Sequence, residues 1–510
     1  MLVRDRESED RLMKMTIQVI IEDDDTSPQE AVAAKIIALE RSVEDLRSET
    51  LGLRLGEAKE ILAEIQSALV TAQAKRFQEH QCSCPECGTP YQKNGTHQIT
   101  FRTLFGTIKL ASQRFYTCSC PQAKTMETSK QSSFSPLAKL LPERTAPEFV
   151  YLQTKWAAIM SYGRTAELLE EVLPLAKRMS TAVISQHVQR VATRVDSELG
   201  DEQCSFIEGC PAEWEALPEP AEPLIVGIDG GYVHAREGQN RKAGFFEIIV
   251  GKSMAGEQSP KRFGFVNTYD TKSKRRVYEM LKAQGMQMNQ QVIFLSDGGD
   301  DVRELQRYLN PQAEYVLDWF HVTMRLTVLG QLARGIALRP EARGKKKELQ
   351  RAEEDEPEAC IPTLEEVERQ LERMKWYLWH GNVFRALQVG EKLEEDLDLP
   401  EEKNGPLQKM LQALREFNGY IIANENYIVN YGDRYRNGET ISTAFVESTV
   451  NEVISKRFVK KQQMRWTKEG AHRLLQVRIH VLNDELRQTF CRWYPGMEEV
   501  LPAPEDEVAA

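Results

Sequence analysis

The chain has no apolar run of the roughly 18 residues needed to cross a bilayer, so no membrane span is expected. Its opening residues, MLVRDRESEDRLMK, lack the apolar stretch of a secretory leader. Cysteine is scarce, nine in 510 residues, and five of the nine crowd between Cys82 and Cys120. That crowding argues for thiolates gathered on a metal in a reducing compartment rather than for disulfides, and the expected location is cytoplasmic. A surplus of positive charge is also missing, because the net charge is −11. Its distribution is uneven: Lys456 to Arg478 holds eight Lys/Arg and one acid, and Glu391 to Glu402 holds seven acids and one Lys. Nucleic acid is therefore a partner for some surfaces only. What remains, 41% hydrophobic and 28% charged, is ordinary for a multidomain globular chain.

Periodicity and punctuation divide the chain. Residues 1–80 read as N-terminal helices: SPQEA is a start signal, Ile36, Leu39, Val43 and Leu46 recur at helical spacing, and Ile61, Leu62, Ile65 and Leu69 continue the pattern. Residues 81–125 read as a zinc ribbon, two strands turning near Phe105-Gly106 between the knuckles CSCPECG and CSC. Residues 126–222 form a helical region with helix-turn-helix composition and a Pro/Glu-rich linker, CPAEWEALPEPAEP. Its second helix, capped by Ser180/Thr181, carries Gln186, His187, Gln189 and Arg190 as base- and phosphate-contacting candidates, with Val183, Ile184, Val188 and Val191 for the core. From residue 223 the character changes to α/β. Strands are expected at 224–229, 244–251, 262–269, 292–297 and 313–320, with helices after the third, fourth and fifth. A core over 223–335, a helical insertion over 336–440, a core-completing segment over 441–490 with a basic run, and a tail over 491–510 finish the chain. The fold class is multidomain α+β, with a ribonuclease H-like α/β domain interrupted by helices.

In that strand order the first and fourth strands are neighbours, so Asp229 of IDGG and Asp297 of SDGG meet at one sheet edge. Taken alone, Asp-Gly after a β-branched run is a turn signal. Paired, the two aspartates suit phosphodiester chemistry, in which two Mg²⁺ ions about 3.5–4 Å apart (Mn²⁺ as a substitute) neutralise attacking and leaving oxygens. A third acid is needed, and Glu447 stands out on a helix otherwise rich in Ala, Phe, Val, Ser and Thr, with Asn451 on its face. Asp300 and Asp301 read as a cap and first turn, Asp270 as a cap or turn residue, and Glu452 as pointing elsewhere on the helix. In LDWFH, Asp318 and His321 form a DxxH pattern that on its own suggests no more than a local Asp–His contact.

IDGGYVHARE, FFEIIVGKS, GMQMNQQVIFLSDGGDDVR, LDWFHVTMRLTVLGQ and RYRNGETISTAFVESTVNEVISKRFVKKQQMRW resemble the ISKra-type insertion-sequence transposases, as do SFSPLAKLLPERTAPE and YLQTKWAAIMSYGRTAELLEEVLP in the N-terminal half. The resemblance covers about residues 80–495. These enzymes are similar to Mutator-like transposases, with a DDE triad and a C/D-x-x-H motif. The resemblance implies a DNA transposase that cuts transposon ends and joins them to target DNA. It implies Asp229, Asp297 and Glu447 as the catalytic Mg²⁺ ligands, with Asp229 bridging two ions, and Asp318 and His321 as the accessory motif. His321 would touch the scissile phosphate or steady the site, and Arg325, one helical turn on, would either neutralise phosphate charge or stand as a solvated surface Arg. Double-stranded DNA, a nucleoid location and at least a dimer on DNA follow from the same likeness. A transposase-derived DNA-binding protein without catalysis, or a ribonuclease H-like nuclease, are the competing readings.

Two further features come from the residues themselves. Cys84, Cys87, Cys118 and Cys120 make a CxxC…CxC set suited to a structural Zn²⁺, with Cys82 able to replace Cys84. In the basic run, Lys456, Arg457, Lys460, Lys461 and Arg465 are phosphate-contact candidates, and Trp466 is placed to stack on a flipped base.

Overall fold

The computed structural model describes residues 12–21, 33–42, 46–118, 120, 132–175, 179–220, 222–236, 244–256, 258–299, 303, 305–337, 362–398, 405–459 and 464–497. The chain divides into two compact units, Met1–Val191 with Asp484–Ala510, and Ala192–Asn483.

In the first unit the helix expected around Ile36 and Leu39 is replaced by a strand. Strands β1 (Leu12–Ile20) and β2 (Ala33–Ser42) form an antiparallel hairpin, pairing Ile17 with Ile37 and Met15 with Leu39. The alternation Met13, Met15, Ile17, Val19 against Lys14, Thr16, Gln18 is a period-2 signal, and it supplies Ile37 and Leu39 with a strand partner. Val43 lies outside the described residues. Helix α1 (Leu55–His80) then follows, its first turn tied to the hairpin by Arg41, which meets Glu57 at 2.6 Å.

Strands β3 (Lys93–Thr103) and β4 (Gly106–Tyr116) form the expected pair around a turn closed by Gly106 at φ 132°, and β5 (Ser133–Phe134) adds to β4. Their core is small: Ile99, Ile108 and Leu110 against Ala74 of α1 and Leu137 of α2 (Pro136–Leu140). Helices α3 (Pro147–Ile159), α4 (Tyr162–Val172) and α5 (Thr181–Glu198) follow. Ser161 opens α4, accepting from the Arg164 N–H.

The second unit is built on a five-stranded sheet of order β10-β9-β6-β7-β8. Strands β6 (Leu224–His234), β7 (Phe245–Met254) and β8 (Lys261–Val266) are antiparallel neighbours, whereas β9 (Val292–Ser296) and β10 (Glu314–Leu317) add parallel to β6. The short helix α6 (Pro211–Glu215) precedes the sheet, and α7 (Ser273–Ala283) and α8 (Leu305–Leu309) connect its later strands. Helix α9 (Trp319–Ala337) leads to a helical layer of α10 (Leu364–Trp379), α11 (Val383–Asp398), α12 (Gly405–Ala423) and α13 (Tyr431–Arg436), with a continuous apolar core that includes Leu317, Leu329, Met374, Leu393 and Leu414. The chain returns to the sheet as α14 (Ala444–Val450), continuing through one π turn (Asn451–Ser455) and Lys456–Phe458, then α15 (Lys468–Leu482). Helix α16 (Leu486–Trp493) belongs to the first unit.

Candidate functional site

Strand β6 does not end at Asp229. It runs on through Gly230 and Gly231, which pair with Ile249 and Ile248 of β7, so IDGG is mid-strand and its glycines bend nothing. By strand alternation Gly227, Asp229 and Gly231 share one face. That face is where α14 lands: a Cβ on Gly227 would stand 2.1 Å from Val446 Cγ2, and one on Gly231 would stand 2.7 Å from Ile454 Cδ1. Val446, Val450 and Ile454 thus form the stripe that presses on β6, with Asp229 between the two contact points. Glu447, one residue or about 100° round the helix from Val446, is exposed beside that stripe, with exposed Asn451 a turn further on. Glu452 points elsewhere, to Arg262 at 3.0 Å.

The second DGG behaves differently. Asp297 follows the end of β9 and is exposed, and Gly298 takes φ 93° in a true turn pressed against Asn424, whose Oδ1 would lie 2.6 Å from an added Cβ. Asp297 Oδ1 accepts from the Gly299 N–H at 3.2 Å, and its carbonyl accepts from Tyr420 Oη at 3.0 Å. The helical layer therefore reaches the acid directly, through α12. Asp300 and Asp301 lie outside the described residues.

Burial is the main influence raising the Asp229 carboxyl above its usual range. The Gly230 N–H at 2.7 Å and His321 act downward, and the charges of Asp297 and Asp318 add to the rise. His321 Nδ1 is buried and makes no hydrogen bond, at 3.6 Å from Asp318 Oδ2. A cavity of about 360 Å³ opens beside Asp297 and His321, walled by Met324, Arg325, Val328 and Phe417, and Arg325 lies over the Tyr420 ring at 4.1 Å.

The donors are hard carboxylate oxygens, the right kind for divalent cations. They do not form a closed single-ion cage. Among the described residues, only the four cysteines put three or more ligand atoms within 4.8 Å of one another.

Asp318 makes the local contact with His321 that its pattern suggests, but its hydrogen bonds go elsewhere. It is 0% exposed, and its carboxylate accepts from the Phe320 N–H at 2.9 Å, the Thr443 N–H at 3.0 Å and the Thr443 hydroxyl. Thr443 has no local signature in the sequence. The approach of α14 had one, because glycines two residues either side of Asp229 mark a strand face that a backbone or helix can approach closely.

Several DNA-contact candidates are corrected. His187 is 4% exposed, its Nδ1 2.5 Å from Gln153 Oε1, and burial followed by Arg190 and Arg102 pushes it down to about 4. With Ile184, Val188 and Val191 it forms an i, i+3, i+4, i+7 stripe, so helical spacing already placed it in the core. Gln186 is exposed, and exposed Arg190 pairs with Glu143 at 3.2 Å. Arg457 is 1% exposed and Trp466 is 8% exposed; the indole packs on Phe458 and donates to its carbonyl at 3.3 Å, leaving no face for a base. Lys456 and Arg465 are exposed, and Lys460 and Lys461 lie outside the described residues. Asp270 is a structural acid, accepting from the Lys272 N–H and from Arg276 Nε at 2.5 Å.

In the first unit, Cys84, Cys87, Cys118 and Cys120 gather their sulfurs, with Cys84–Cys120 at 4.0 Å and Cys87–Cys118 at 3.6 Å. A tetrahedral ion with metal–sulfur bonds of about 2.3 Å separates its sulfurs by about 3.8 Å, so the cluster can hold a structural metal such as zinc. The Thr89 hydroxyl and then its backbone, followed by Cys118, lower the Cys87 thiol to about 6. Gly88 at φ 71° closes this knuckle, its N–H bonding the Cys84 carbonyl at 2.9 Å. Cys82 stays outside the cluster, exposed beside Ser83. Among the described residues no helix is long and apolar enough to cross a membrane. Compared with known proteins, the chain matches no family model and no curated protein.

Proposed function

We propose that the protein is a DNA transposase of DDE type with a ribonuclease H-like core, cutting transposon ends and joining them to target DNA. One observation carries the reading. Asp229 and Asp297 come from adjacent parallel strands of a 5-4-1-2-3-type sheet, and the helix bearing Glu447 packs on the glycine face around Asp229. Asp229, Asp297 and Glu447 would hold divalent cations, which when bound supply neutralisation of phosphoryl charge and an activated water. The chain's own residues do the rest. The Gly230 and Gly299 N–H groups orient the two aspartates, and the His321 ring, its Nδ1 turned to Asp318 at 3.6 Å, lines the cavity. Arg325 adds a cation at the same wall, for a phosphate oxygen. The four-cysteine ribbon carries Zn²⁺ as a structural ion, Gln186 and Arg190 form what remains of the helix-turn-helix contact surface, and the enzyme acts on double-stranded DNA as at least a dimer.

A DNA-binding protein without catalysis is the second reading, favoured by the absence of three acids within 4.8 Å of one another among the described residues. Incubating the protein with Mg²⁺ and a fragment bearing the sequences that flank its coding region separates the two. Cleavage by the wild type, abolished with binding intact in Asp229→Ala, Asp297→Ala and Glu447→Ala, is the expected result. Retained cutting in one variant removes that residue from the triad, and binding without cutting by the wild type selects the second reading. Pre-cut ends that are never joined would instead mark a nuclease.

A further inference from the structure

We infer that Asp318 is a positioning residue that latches the helix of the third acid to the strand of the second, rather than a group that meets DNA. The inference rests on the proposed triad for its functional meaning but not for its geometry. Asp318 is fully buried, so no phosphodiester reaches its carboxylate. Its backbone N–H donates to the Ser296 carbonyl at 2.9 Å, one residue before Asp297. Its carboxylate accepts from both the N–H and the hydroxyl of Thr443, itself 3% exposed. Thr443 opens α14, its carbonyl accepting from the N–H groups of Val446 at 2.7 Å and Glu447 at 3.1 Å.

The neighbours of Asp318 do the same work on the returning chain. The Leu317 carbonyl accepts from Tyr431 Oη at 2.8 Å, and the Trp319 N–H donates to the Ile441 carbonyl at 3.2 Å. Three consecutive residues thus seize the strand-bound end of a segment that comes back from more than a hundred residues of chain. The helical run from Ala444 to Phe458, interrupted by a π turn, is too short to hold its own start by local bonds alone. Hydrogen bonds to a buried carboxylate are shorter and stronger than neutral ones, and leaving that carboxylate unpaired is costly, so the Asp318–Thr443 pair fixes where α14 begins. From that start the helix lands on Gly227 and Gly231, either side of Asp229, and carries Glu447 with it.

Asp318→Asn keeps the shape and weakens the acceptor, and Thr443→Val removes only the hydroxyl, a milder change should the first variant fail to fold. In the full-length protein, hydrogen exchange of residues 444–450 is expected to speed up roughly ten- to hundredfold in both variants, with β6 and β9 amides unchanged. Thr443→Ser should exchange like wild type, and the double variant no faster than either single one. If the chain cleaves DNA, kcat falls in step with exchange while KM for DNA holds. Lost cleavage with wild-type exchange at 444–450 would make Asp318 a direct participant and overturn the inference. So would wild-type exchange in Thr443→Val. A wild type that cleaves nothing ends the transposase reading while the exchange result still decides the latch.

Discussion

A methyl group at position 227 would stand 2.1 Å from Val446 Cγ2 and 2.6 Å from Phe445 Cζ, both on a helix already anchored at its start. A methyl at position 230 meets the end of a flexible side chain instead, Glu247 Oε1 at 2.9 Å, and the backbone there is ordinary strand. The two neighbouring glycines should therefore answer the same substitution differently. Gly227→Ala is expected to cost about 1–3 kcal/mol, because overpacking pushes α14 outward. Gly230→Ala should cost less than about 1 kcal/mol, the Glu247 carboxylate swinging aside. Urea midpoints of the two variants check this, and equal destabilisation would mean that helix contact is not what position 227 protects. Because the displaced helix carries Glu447, Gly227→Ala should also lower any metal-dependent cleavage more than Gly230→Ala does.

Elements differ in how far their neighbours could be read in advance. The strands of the sheet were legible because each carries its own signal, a β-branched run bounded by turns, and their order brought Asp229 and Asp297 to adjacent strands. Residues 33–42 were not, because their apolar spacing suits a helix until Met15 and Ile17 are recognised as partners across a hairpin. His187 and Arg457 were misplaced by residue type, although each lies on the buried stripe of its helix, Arg457 four residues on from Val453. The Asp318–Thr443 bond had no local trace at all, since 125 residues separate its ends. The four-cysteine cluster, by contrast, was legible to the residue, and beside so small a core a bound structural metal such as zinc would contribute much of the local stability. Cys84→Ser should reduce bound zinc, measured by atomic emission, from about one ion per chain to near none and lower the melting temperature. Cys82→Ser should change neither. Zinc lost equally from both variants would reinstate Cys82 as a ligand.

At the scale of the whole molecule, a net charge of −11 must be reconciled with the polyanionic partner proposed, and the basic run is less a surface than its composition suggests. Arg457 packs on the Trp466 ring at 5.3 Å, and Arg478 caps the carbonyls of Val453 at 2.9 Å and Glu452 at 2.5 Å. Burial, then the nearby Arg457 charge, lowers the Arg478 guanidinium to about 10. Arg473 is paired with Glu469 at 2.6 Å. These three cations hold the end of the helical run that starts at Ala444 and the first turns of α15, so they contribute little to an outward positive field. Exposed Lys456 and Arg465 remain. Each phosphate contact that releases a counterion steepens the dependence of log K on log salt by about 0.9. Lys456→Ala and Arg465→Ala should thus each flatten that slope by about 0.9 in anisotropy titrations with duplex DNA, without altering stability by more than about 0.5 kcal/mol. Arg457→Ala should leave the slope at its wild-type value and destabilise the fold by about 2–4 kcal/mol, through the cavity left against Trp466. A flattened slope in Arg457→Ala at wild-type stability would mean that the buried guanidinium is drawn out to DNA, and that Arg457 serves binding rather than the core.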